Sequence, residues 1–297
     1  MTNKATIIGL GLIGGSIAID LRKSGLYTDV TGVDLNADHA LQALRLNLVD
    51  KVEQEGKALS TADLVVLAIP VNAIQAFLPA VLDIIKDSAV VVDTGSTKSL
   101  ICKAVGAHPK RSRFVAGHPI SGTENSGPAA ALNGLFRNKT NIICEPEKSS
   151  DDALQTALRF FEVLGMQTIF MQPDEHDRHV AYVSHLSHVS SFLLGQTVLD
   201  IEKDEKNIAV LAGSGFASTV RLAKSSPDMW APIFEQNMEY LSQALQEYIL
   251  HLQRFQYHLL KRNTGELHRT LREANQIRRI LDGIEVKSTH RPEKQNA

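Results

Sequence analysis

The chain has 297 residues, 43% hydrophobic and 22% charged, with a formal net charge of -2. These fractions exclude wholesale disorder and a fibrous fold, and the length suffices for one large or two medium domains. A charge near zero provides no basic field for nucleic acid and no polybasic anchor for a membrane, and the longest apolar run, Leu64–Val71, is far short of the ~20 residues a span needs.

The apolar stretch from Ala5 carries four glycines by Gly15 and no small-residue cleavage site, so it reads as a strand and a phosphate loop rather than a signal peptide. Strands are predicted at Ala5–Gly9, Val30–Asp34, Leu64–Ala68, Ala89–Asp93 and Phe114–Gly117. Helical patterns begin between them near Leu12, Ala37, Val71 and Thr97. Strands separated by helices imply βαβ units, hence an α/β, Rossmann-type, doubly wound parallel sheet. Asn141–Cys144 and Thr168–Met171 read as two further strands flanking a helix over Asp151–Leu164, and Pro119–Gly134 as a functional loop.

No strand is expected from Asp174 onward. Asp174–Glu202 reads as one long helix and Ile208–Ala223 as a second helical stretch, with Pro227 and Pro232 marking the turn into a third. The third carries Phe234, Met238, Leu241, Leu245, Tyr248, Leu252, Phe255 and Leu259, alternately four and three apart. Such a stripe fits either a bundle core or, as favoured here, a helix shared across a dimer interface, because little helical mass remains to cover it. The division expected is therefore residues 1–172 as a nucleotide-binding domain, 173–284 as an all-α dimerisation domain and 285–297 as a disordered polar tail. Two cysteines, Cys102 and Cys144, cannot build a disulfide framework, so a reduced pair and a cytoplasmic location are expected.

Gly9, Gly11 and Gly14 form a G-x-G-x-x-G between a predicted strand and a predicted helix. Gly9 permits the turn, Gly11 lets backbone approach a pyrophosphate, and Gly14 lets helix and strand pack closely. Asp34 ends the second strand, where a carboxylate accepts bonds from ribose hydroxyls, and no Arg follows within ten residues, which points to NAD rather than NADP. Leu12, Ile13, Ile69 and Pro70 complete the expected cofactor contacts.

Ser96 and His118 follow successive predicted strands, at the carboxyl ends where open α/β sheets bind ligands. A histidine there can take the proton of an alcohol as hydride leaves. The bland alternatives are that Ser96 caps the next helix and that His118 is a loop residue held by Pro119. His176, His179, His185 and His188 crowd the following helix. His185 and His188 share a face suited to substrate, whereas His176 is expected on an exposed flank and no metal site is expected.

Gly95-Ser96-x-Lys98, Gly117-His118-Pro119-Ile120-x-Gly122-x-Glu124, Ser184-His185-Leu186-x-His188 and Gly215-Phe216-x5-Leu222-Ala223-x3-Pro227-x-Met229-Trp230 together resemble the prephenate dehydrogenase family of tyrosine biosynthesis, up to about residue 280. The resemblance implies NAD-dependent oxidative decarboxylation of prephenate to 4-hydroxyphenylpyruvate by a homodimer joined through its C-terminal helices. It implies His118 as proton acceptor, Ser96 as its orienting partner, and Arg221 and His188 as substrate ligands, with His185, Thr123 and Glu124 nearby. Trp230 is implied as a pocket wall, with the partner subunit a candidate source. Ser218 stands where the family often has an Asp three residues before the arginine, so the chain departs from the pattern there. The alternatives are arogenate as substrate, and a non-catalytic NAD-binding dimerisation module that would have no use for a proton acceptor.

Overall fold

The computed structural model describes residues 3–202 and 208–282, so the tail expected from Glu285 lies outside the described residues. The chain packs as two units that divide between Leu241 and Ser242. In the first unit the strands are β1 (Lys4–Ile8), β2 (Asp29–Val33), β3 (Lys51–Val52), β4 (Leu64–Leu67), β5 (Val90–Asp93), β6 (Phe114–Pro119), β7 (Thr140–Cys144) and β8 (Gln167–Met171). They form one sheet in the order β3-β2-β1-β4-β5-β6-β7-β8. The first helices are α1 (Leu12–Ser24), α2 (Ala37–Arg45), α3 (Glu55–Thr61), α4 (Val71–Ile84), α5 (Ser99–Ala104) and α6 (Asp151–Val163).

Strands β4 and β5 read LVVL and VVVD and are buried on both faces, as the centre of a helix-covered parallel sheet must be. One apolar layer joins Ile17 and Leu21 of α1 to Phe160 and Phe161 of α6, and the other joins Ile74 and Leu78 of α4 to Ile101 of α5. The seven predicted strands are all present, within a residue or two at either end, while β3 and α3 are additional elements. The sheet is not wholly parallel. β7 pairs antiparallel with β6, because the connection Ile120–Lys139 contains no crossover helix, and β8 then runs parallel to β7 across α6.

After β8 no further strand occurs among the described residues. The segment expected as one long helix is α7 (Pro173–Val180), a π-helical turn (Ala181–His185) and α8 (Leu186–Glu202). The expected second stretch is broken into α9 (Ile208–Leu211), α10 (Ser214–Thr219) and a 3-10 turn, Arg221–Lys224. The expected third helix is also two, α11 (Pro227–Gln236) and α12 (Met238–Leu260), interrupted at Asn237, whose backbone leaves the helical region at φ -109, ψ 29. Trp230 and Ile233 of α11 enter the same apolar layer as Val71, Ile74 and Leu78, so this layer of the sheet extends well past residue 172. The second unit holds the rest of α12 and α13 (Thr264–Ala274), which Asn263 caps by accepting the amide of Glu266.

Both cysteines are buried and free, and burial pushes the Cys102 thiol up to about 12 and that of Cys144 higher still. Neither is a thiolate at neutral pH.

Lys98 is completely buried, and its Nζ pairs with Asp93, whose carboxylate also accepts the amides of Gly95 and Gly117. Those contacts tie the ends of β5 and β6 together. Removing the cation strands a buried carboxylate, so Lys98→Met is expected to lower stability by about 3–5 kcal/mol. A urea-unfolding midpoint unchanged from wild type would contradict this.

Candidate active site

The glycine loop connects β1 to α1. Gly9 has φ +92, and a Cβ on it would lie 2.4 Å from the Ala68 carbonyl oxygen. A Cβ on Gly14 would lie 1.9 Å from the Gly9 oxygen, so helix and loop meet with no room for a side chain. Gly11 differs: a Cβ there meets nothing within 4 Å. It is also the N-cap of α1, and no side chain caps that end. An open backbone at an uncapped helix N-terminus is suited to an anion.

Asp34 follows β2 directly. Its Oδ2 accepts the Leu10 amide and its Oδ1 the Asn36 amide, each at 2.8 Å. Each oxygen keeps a further lone pair for a hydroxyl donor. Leu35 beside it is fully exposed, and His39 Nδ1 stands 3.9 Å from Oδ2. The set fits a dinucleotide with a free ribose diol. Ile69 flanks the loop, with its Cγ2 2.7 Å from the position of a Gly9 Cβ, while Leu12 is buried, Ile13 half-buried and Pro70 exposed at the start of α4.

His118 is not a loop residue. It lies in β6, paired with Ile142 of β7, at the carboxyl end of the parallel part of the sheet. Its Nδ1 is 2.7 Å from Nε2 of His176, and Nδ1 of His176 is 2.7 Å from Oδ1 of Asp177. The same Oδ1 accepts the Lys98 amide, and Oδ2 accepts the Ser99 amide. These contacts, with burial favouring a neutral His176, assign the protons. A carboxylate only accepts, so His176 Nδ1 carries hydrogen. Neutral His176 then accepts at Nε2, so His118 donates from Nδ1 and keeps a lone pair at Nε2. Burial, with His176, Lys98 and His185 adding to it, holds His118 well below the usual histidine value. Burial also dominates the lowered value of His176. Burial opposes ionisation of Asp177, but the bonds from His176 and the two amides outweigh it and hold the carboxyl below its usual value.

His176, expected on an exposed flank, is therefore fully buried beside His118. The sequence did hold a signal. Pro173, His176, Asp177, Val180 and Ala181 are the buried positions of this helix, a spacing of an inward face on which two positions are polar. His179 is the exposed one.

The π-helical turn brings a second group inward. Asn237, at the break before α12, donates one amide hydrogen to the Asp177 carbonyl oxygen at 2.7 Å and the other to His185 Nδ1 at 3.0 Å. His185 is thus neutral with its hydrogen on Nε2, which is buried without a partner, and burial holds its pKa down to about 4. His188 donates from Nδ1 to the Ser184 carbonyl at 3.0 Å and stacks on Trp230 with ring centroids 3.4 Å apart. Trp230 therefore reaches this cluster from α11 of the same chain. Neither Asn237 nor Asp177 was singled out from sequence, because adjacency across 60 residues has no local pattern.

Ser96 is half-buried in the β5–α5 connection and makes no cap: Lys98 is the N-cap of α5, and Asp177 supplies the acceptor instead. Arg221 Nη1 bonds Glu124 Oε2 at 2.9 Å on a half-exposed face. Glu124's own backbone and then Arg221 lower its pKa. Thr123 is half-buried in the loop after β6 and accepts the Asn125 amide. Loop 128–134 is latched to α1, with Ser16 accepting the Leu132 amide and Asp20 accepting the Gly134 amide.

Residues 17–170 match the family model described as prephenate dehydrogenase, nucleotide-binding domain, and residues 172–273 the one described as prephenate dehydrogenase, dimerization domain. The prephenate dehydrogenase of Bacillus subtilis is 28% identical over 290 residues, 97% of this chain and 77% of that protein. The cyclohexadienyl dehydrogenase of Zymomonas mobilis is 29% identical over 277 residues, 93% of this chain and 94% of that one. Among solved structures, the Aquifex aeolicus prephenate dehydrogenase in complex with hydroxyphenyl propionate and NAD+ superposes with a TM-score of 0.84 at 30% identity, over 95% of this chain and 99% of that one. The Synechocystis arogenate dehydrogenase gives 0.74 at 31% identity, over 94% and 99%.

Replacing Gly14 by Ala drives a methyl into the Gly9 carbonyl. The expected result is NAD binding weakened by at least about tenfold, a loss of roughly 1.4 kcal/mol, in a fluorescence titration of the folded variant. Unchanged affinity would show that the close loop–helix approach is not needed to hold the dinucleotide.

Proposed function

The chain belongs to the prephenate dehydrogenase family, and from that premise we propose that it converts prephenate to 4-hydroxyphenylpyruvate and CO2 with His118 as the proton acceptor. The observation that carries this reading is the His118 ring: buried, neutral, with Nδ1 committed to His176 and a lone pair left on Nε2. NAD, when bound, supplies the hydride acceptor. Gly11, the N-terminus of α1 and Asp34 would hold it.

His118 Nε2 takes the C4 hydroxyl proton as hydride leaves C4, and Ser96 orients that hydroxyl. The ring is then a dienone. Its bond to the carboxylate breaks, the electron pair completes the aromatic ring, and CO2 departs. The phenolate oxygen takes a proton back from His118. No proton is released overall, so the protein's task is to hold one briefly and to orient the ring.

Arg221 grips a substrate carboxylate with its planar fork. Its bond to Glu124 is solvent-screened and weak, and an incoming carboxylate can displace it. His188 is the lesser ligand. With Nδ1 committed to Ser184, it can donate from Nε2 only as imidazolium, and burial works against that form. Thr123, Glu124, His185 and Trp230 complete the substrate surroundings in this reading.

We infer also that two copies associate through the C-terminal helices. The family model covering residues 172–273 is a dimerization domain, and Met238, Leu252, Phe255 and Leu259 of α12 are exposed in the single chain. Among the described residues no helix is long and apolar enough to cross a membrane. Sedimentation at micromolar concentration is expected to show twice the chain mass, shifting to the monomer when Leu252 and Phe255 are changed to Glu. A wild-type monomer would refute the pairing.

The reaction is tested by NADH formation from NAD with prephenate or arogenate in parallel. Turnover of prephenate is expected, with kcat reduced about 10²–10⁴-fold in His118→Asn. Arg221→Ala is expected to raise KM for prephenate roughly 10–100-fold, the loss of a charge-assisted bond. His118 works only as the neutral ring, so activity is expected to hold through neutral pH and to fall as pH drops through a value below 6.5. Turnover of arogenate alone would change the substrate. Full activity in His118→Asn would remove His118 from the mechanism.

A further inference from the structure

We propose that His176 and Asp177 form a proton store behind His118. The inference rests on the reading of His118 as the acceptor. As His118 Nε2 takes the substrate's hydroxyl proton, the hydrogen on His118 Nδ1 moves to His176 Nε2, and the positive charge comes to rest as a His176 imidazolium against the Asp177 carboxylate. The shift reverses when the phenolate oxygen reclaims its proton. One O–H bond breaks and one forms, two N–H bonds exchange, and nothing leaves the site.

Three observations carry it. The two contacts are both 2.7 Å, and with the hydrogen of a neutral His176 on Nδ1, facing the carboxylate, they can run in one direction, from His118 through His176 to Asp177. His118 has no carboxylate of its own: its Nδ1 meets a neutral ring, and Asp177 is reached only through that ring. His176 and Asp177 are sealed, 0% and 2% exposed. A conduit delivering protons to water would need an open end. A store for a reaction with no net proton release does not.

The other charged or titratable groups acting on the pair are Asp93 at the end of β5, Lys98 at the N-cap of α5 and His185 in the π-helical turn. Lys98 is paired with Asp93. His185 accepts from Asn237 and is neutral. A charge left on His118 would therefore stand buried without a counter-ion, whereas a charge on His176 stands against one. Burying an unpaired charge is the costlier arrangement. His176 and Asp177 are accordingly positioning residues that act through His118.

The test uses the full-length enzyme. His176→Gln keeps an acceptor for His118 Nδ1–H but cannot carry the charge. The expected result is kcat lowered by about 10²-fold, KM for prephenate and for NAD unchanged, and the acid limb of kcat moved to lower pH. A purely structural role would leave the acid limb in place, and an unchanged limb or an unchanged kcat in a folded, NAD-binding variant overturns the store. Should His176→Gln not fold, nitrogen NMR of the wild-type enzyme with labelled histidine decides. Hydrogen on Nδ1 of both His118 and His176 at neutral pH is required, and hydrogen on His118 Nε2 would refute the proposal. Wild type and His118→Asn run alongside: absent prephenate turnover, or full activity in His118→Asn, refutes the underlying reading instead.

Discussion

The Asp177 carboxylate is the contact on which the site depends. It takes three donors, the amides of Lys98 and Ser99 and the ring N–H of His176. A buried carboxylate is tolerated only when it is fully bonded, and here the bonds come from two different parts of the fold. The two amides belong to the start of α5, beyond the end of β5. The ring belongs to α7, in the segment after the sheet. One side chain thereby caps a helix at a distance, fastens α7 at the carboxyl end of β5, and selects the tautomer of a histidine. It also leaves Ser96 out of capping, with its hydroxyl available.

The sheet supplies the rigidity. β5 and β6 are parallel neighbours whose ends are joined through Asp93, which accepts amides from both sides and pairs with Lys98. β7 returns antiparallel and holds His118 in register opposite Ile142. A side chain inside a three-strand arrangement moves less than one on a loop. The helical part compensates for its own irregularity. The π-helical turn before α8 and the break at Asn237 both depart from regular helix, and both place polar atoms around His185.

The same logic separates strong from weak contacts. The Asp93–Lys98 pair is sealed, while the Arg221–Glu124 pair is solvent-screened and exchangeable. A locked interior pair and a replaceable surface pair thus occur in the same unit. Ser218, three positions before Arg221, carries no acid, and Glu124 provides the carboxylate that meets the guanidinium in the free chain.

By itself, the sequence determined what short-range physics dictates. Strand and helix alternation, the glycine loop and the terminal Asp34 follow from local periodicity and turn chemistry, and each was legible within a residue or two. That His118 and Ser96 stand at the carboxyl ends of successive strands was legible too, because it follows from the same alternation. The tertiary structure alone decided the rest. The antiparallel turn of β7 depends on how a helix-free connection crosses the sheet end. The break at Asn237 interrupts a heptad stripe that runs on regardless in the letters. The burial of His176 and the meeting of Asp177 with Lys98 and Ser99, 78 to 79 residues away in sequence, are long-range contacts. Residue spacing records which face of a helix a side chain shares, but only packing decides which helix face turns inward and what it meets there.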